Sequence, residues 1–113
     1  MTVKPMPYDV IETLHPLENE SVPTGSQGTI VHQHTNDIFE VEFIDDNGQT
    51  IALETIPREQ FVIVWRAEMA EAVPITEQLT QVTATLPQQS RIEVLDFAHF
   101  LSSRQRKRHP VAA

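Results

Sequence analysis

FEVEFIDDNGQTIALETI, residues 39–56, is the stretch that decides the fold. Phe39, Val41 and Phe43 alternate with Glu40, Glu42 and Ile44, the two-residue period of a strand with one core face and one mostly wet face. Asp45-Asp46-Asn47-Gly48 follows as a turn, since Asn and Gly tolerate the positive φ that tight hairpins require. A strand over Phe39–Asp45 should therefore pair antiparallel with one over Ile51–Ile56. Outward from this hairpin, runs rich in β-branched and aromatic residues mark three more strands, Asp9–His15, Thr29–His34 and Phe61–Trp65. A polar loop over Pro16–Gly28, punctuated by Pro23, Gly25 and Gly28, separates the first two, and loops of that length often carry binding. Five short strands with one apolar face escape exposed edges by curling closed, so residues 1–66 are expected to form a small five-stranded antiparallel barrel.

Past Trp65 the pattern turns helical, giving a mainly β chain with C-terminal α structure. Residues 67–74 (AEMAEAVP) read as a connector that can begin as a helical turn, and residues 75–104 as a helical hairpin. Thr76 is placed to cap a first helix through Leu86 whose apolar stripe is Leu79, Val82 and Leu86, although Thr80, Thr83 and Thr85 weaken its intrinsic propensity. Pro87 breaks that pattern, and a second helix from Gln88 or Ser90 to Ser103 carries Ile92, Val94, Leu95, Phe97, Ala98, Phe100 and Leu101. Apolar residues over so much of one helix require cover on several sides, which implies a protein partner or a second copy. The basic tail, residues 105–113, is expected to fray.

Charge separates the two halves. Of 113 residues with a net charge of −8, the first 66 hold three basic residues (Lys4, Arg58, Arg66) and eleven acidic ones, so they carry the whole −8. The remainder is balanced, and four of its five basic residues crowd into Arg104, Arg106, Lys107 and Arg108. An acidic barrel repels phosphate, which argues against nucleic-acid binding there, while the basic cluster is a candidate contact for DNA, for an acidic partner or for the barrel itself. There is no cysteine, hence neither a disulfide framework nor a thiolate metal site. The sequence shows no membrane span and no signal peptide, so a cytoplasmic location is expected.

From Asp9 to Val64 the chain resembles the bacterial family grouped as domain of unknown function 4926. The resemblance rests on the Gly28-Thr29-Ile30-Val31 strand entry, the Phe39–Phe43 strand, the Asp-Asn-Gly turn, and Ile51–Leu53 leading to Pro57 and Phe61. It implies an SH3-like barrel and no established activity. Residues 79–104, LTQVTATLPQQSRIEVLDFAHFLSSR, resemble domain of unknown function 2281, through Leu86-Pro87, Glu93–Phe97 and Phe100-Leu101. Some proteins bearing that segment are similar to VapB-type antitoxins, which implies a toxin-neutralising or partner-binding helix.

Few residues suggest chemistry. His32 and His34 lie on one side of their strand near Glu40 or Glu42, a metal-compatible set, yet alternating histidines on an exposed strand are more often solvated, and no metal or other cofactor is expected. Glu40, Glu42, Asp45 and Asp46 lack the shelter that acid–base catalysis needs, and no serine sits in a nucleophile-elbow context, so the chain reads as a non-enzyme. Gly25-x-x-Gly28 also resembles the glycine-led turn of KOW-type barrels, a use the acidity opposes. Trp65 is expected to pack between barrel and helices rather than line an aromatic groove. The function expected is a non-catalytic interaction module, antitoxin-like or regulatory, docking a partner, such as a basic toxin-like protein, through Ile92, Val94, Leu95, Phe97, Phe100 and Leu101. The alternative is an assembly adaptor or accessory subunit that self-associates through the helices.

Overall fold

The computed structural model describes residues 3–19 and 21–108, with side chains to residue 105. Six strands form one antiparallel sheet: β1 (Val10–Thr13), β2 (Gln27–Gln33), β3 (Ile38–Ile44), β4 (Thr50–Pro57), β5 (Phe61–Arg66) and β6 (Glu71–Ala72). Two helices follow, α1 (Ile75–Ala84) and α2 (Gln88–Arg108). The β3–β4 hairpin forms as its pattern requires, with Phe39, Val41 and Phe43 buried and Phe43 opposite Ala52. Asp45 Oδ1 accepts the N–H groups of Asn47 and Gln49 at 2.8 and 2.9 Å, and Gly48 alone supplies the positive φ, +80°.

The expected closed five-stranded SH3-like barrel does not form. The strands run β4-β3-β2-β1-β5-β6 as an open sheet, because the 3₁₀ turn Arg58–Gln60 carries the chain from edge strand β4 to β5, which pairs with β1. A sixth strand pairs with the outer side of β5, in the stretch read as a connector. Its hairpin is shaped by Asp9, whose buried carboxylate accepts the Ala67 N–H at 2.9 Å and the Met6 N–H at 2.9 Å, and by Ala70 at φ +49°. Flanking segments, rather than closure, seal the core. Val3, Val22 and Val73 join Ile11, Ile30, Phe39, Val41, Phe43, Ile56, Phe61 and Ile63, and Leu17 packs against them.

The loop before β2 is held in place. Thr13 Oγ1 donates to Pro23 O at 3.1 Å and accepts the Ser26 N–H at 3.1 Å, while Val22 is buried. Gly28 is a packing residue within β2 rather than part of a phosphate-cradling turn: a Cβ there would sit 2.6 Å from Val41 Cγ1 and 2.7 Å from a Phe43 ring carbon.

Helix α1 docks differently from the expected Leu79, Val82, Leu86 stripe. Leu79 is 56% exposed, and the buried residue of the helix is Gln81, at 1%. Its amide accepts the Ile63 N–H at 2.8 Å and donates to Ile63 O at 3.0 Å. Val73 N–H already bonds Val64 O beyond the end of β6, so the Gln81 side chain continues the edge pairing of β5 where the main chain has left it. Arg58 completes this arrangement, donating to Gln81 Oε1 and Phe61 O at 2.8 Å each, with its guanidinium 4.9 Å from the Phe61 ring centroid. Burial pushes the Arg58 pKa down, since desolvation disfavours the charged form. Pro74, not Thr76, precedes the first turn, and no side chain caps it.

Candidate protein-docking helix

Pro87 ends the α1 region, and the Arg91 N–H to Pro87 O bond of 3.0 Å starts α2. Gln, Arg, Glu, Leu and Ala are good helix formers, so the segment holds helical geometry through Arg108, past the expected end near residue 104. None of its described side chains is buried. Ile92, Val94, Leu95, Phe97 and Phe100 are each between 40% and 61% exposed, and Leu101 is half-buried. The sheet and α1 therefore leave exposed five of the six residues expected to bind a partner, with Leu101 half-buried.

Order exists on this surface despite its exposure. The rings of Phe97 and Phe100 stack at 6.1 Å between centroids with 26° between planes, and the Arg104 guanidinium lies 5.8 Å from the Phe100 centroid. Arg104 thus stands at the end of the aromatic pair. Arg106, Lys107 and Arg108 continue the same helix, but their side chains lie outside the described set, as do residues 109–113 of the expected frayed tail.

The other candidate residues fall elsewhere. A bulge between Ile30 and His32 breaks the alternation of β2, so Ile30 is buried while His32 pairs in register with Glu40 and is exposed. His34 Nε2 lies 3.2 Å from Glu40 Oε1, and the His32 and His34 rings meet edge to face at 4.7 Å. Among the described residues no group of three or more His, Asp or Glu side chains is placed to hold a metal ion. Glu42 accepts from Thr50 Oγ1, and Asp45 holds the turn. A similar bulge, between Val10 and Ile11 on the β1–β5 pairing, leaves Trp65 opposite Val10 and 36% exposed, outside the buried core. An open groove of about 400 Å³ runs between the β1–β2 loop and β4, lined by Pro16, Leu17, Glu18, Glu54, Thr55, Pro57 and Gln60. Its loop side falls in the Pro16–Gly28 stretch singled out in the sequence, while the β4 side was not legible because it is distant in the chain. No described helix is long and apolar enough to cross a membrane.

Comparison with curated proteins and with solved structures yields no match. A family match exists, and it ends within β5, before either helix begins. Residues 8–63, the N-terminal region of this chain, match the family described as Domain of unknown function (DUF4926).

Proposed function

We propose that this chain is a non-catalytic protein–protein interaction module of antitoxin-like or regulatory type, with the sheet as an acidic scaffold and α2 as the docking element. The observation that carries this reading is the exposure of α2. Five large apolar side chains stand open to water on one helix, and burying each against a partner is worth about 1.5–3 kcal/mol. Soluble monomers rarely leave such a surface unused. The antitoxin-like character draws on the resemblance of residues 79–104 to the segment found in some proteins similar to VapB-type antitoxins. The −8 carried by the first 66 residues supports a basic protein as partner, through steering of the encounter.

Co-purification from the source cell, comparing wild type with Phe97→Asp combined with Leu101→Asp, tests the reading. The expected result is a stoichiometric protein partner retained by the wild type and lost by the double variant, with the same circular dichroism spectrum in both. Equal retention by both proteins would refute it.

A further inference from the structure

We infer that an occupant of α2 is a second copy of this chain, paired antiparallel through a seam made of Glu93, Phe97, Phe100 and Arg104. This rests on the reading of α2 as a docking helix and names one partner for it. The four residues are spaced i, i+4, i+7 and i+11, which puts them in one row along the helix. The structure shows the row already organised, with the two rings stacked and Arg104 over Phe100.

The order of chemistry along the row, acid, aromatic, aromatic, base, selects the partner. A two-fold axis passing between residues 98 and 99 places Glu93 against Arg104 of the second copy at one end, and the reverse at the other. Phe97 and Phe100 then face Phe100 and Phe97 of the second copy between them. Such an isologous contact must satisfy each pairing twice, and this row does. A parallel pair would set Glu93 against Glu93 and Arg104 against Arg104, which is repulsive at both ends. Among the described residues neither Glu93 nor Arg104 has an ion-pair partner within its own chain.

Charge on a larger scale points the same way. Antiparallel pairing brings the basic end of each helix, residues 104–108, beside the start of its partner's α2, where that helix leaves a body whose first 66 residues carry −8. The helix has the necessary reach, since 21 residues span roughly 31 Å.

Sedimentation equilibrium on wild type, Glu93→Arg, Arg104→Glu and the double exchange tests the pairing. Both substitutions lie at exposed positions of the helix, so folding is not at issue, and circular dichroism checks it. The expected result is a wild-type dimer, a dissociation constant raised roughly tenfold or more by either single reversal, and near-wild-type affinity in the double exchange. A wild type that stays monomeric at about 300 μM, a concentration at which even weak pairing registers, overturns the pairing and leaves α2 open to a different protein. Single reversals that bind as tightly as wild type also overturn it. A dimer that persists in Phe97→Asp with Leu101→Asp overturns both the pairing and the role of α2 as a docking helix.

Discussion

Replacing Gln81 with Leu isolates the contact that holds α1 to the sheet. The Gln81 amide accepts from the Ile63 N–H and from Arg58 Nη2, and donates to Ile63 O, all at 2.8–3.0 Å and all buried. Leucine keeps similar bulk but satisfies none of the three, leaving two main-chain groups and one guanidinium N–H without partners. At about 1–3 kcal/mol per orphaned buried group, partly offset by the apolar side chain, the net cost is about 3 kcal/mol. For a chain of this size that corresponds to a fall in Tm of roughly 10 °C or more. Urea and thermal unfolding, followed by far-ultraviolet circular dichroism and Trp65 fluorescence, measure it. Leu79→Ala on the exposed face of the same helix is the control, with an expected change below about 0.5 kcal/mol. A Gln81→Leu loss below about 1 kcal/mol, or a larger loss for Leu79→Ala, would refute the view that one polar side chain anchors α1.

Three further predictions follow from contacts described above. Gly28→Ala should cost about 1–3 kcal/mol in urea unfolding, because its Cβ would collide with Val41 and Phe43 in a packed core. Asp9→Asn should cost about 1–2 kcal/mol, since one of two main-chain N–H groups would meet an amide NH₂ rather than an oxygen; a thermal melt reads the loss. Phe97→Asp with Leu101→Asp, compared at a protein concentration low enough that wild type is monomeric, should leave the unfolding free energy within about 0.5 kcal/mol of wild type, as neither residue belongs to the core; a larger loss in urea would show that α2 contributes to the fold.

Five of the six described strands, the antiparallel β3–β4 pairing and the existence of two helices were legible in local sequence, because alternation and turn chemistry act over a few residues, whereas β6 lay in the stretch read as a connector. The open sheet was not. β4 stays an edge strand bonded only to β3, an outcome of contacts between distant segments on which local pattern carries no information. Bulges at β2 and β5 were equally hidden, and each reverses the alternation after it, which is why Trp65 is exposed rather than packed. Gln81 escaped notice because hydrophobic periodicity counts a glutamine as a solvent-facing residue, whereas here it replaces a missing edge strand. The resemblance over Asp9–Val64 was legible as a family likeness, while the barrel closure it implied was not realised. For α2 the apolar positions were legible in the sequence, and five of the six singled out are exposed in the structure, with Leu101 half-buried.

Amide hydrogen exchange across α2 tests its role as a self-pairing surface most directly, measured by mass spectrometry over a range of protein concentrations. Wild type and Phe97→Asp with Leu101→Asp are compared. The account predicts protection over residues 90–104 that rises with wild-type concentration and is lost in the double variant, while exchange in the β3–β4 hairpin is the same in both. Equal exchange over residues 90–104 in the two proteins at every concentration would contradict it.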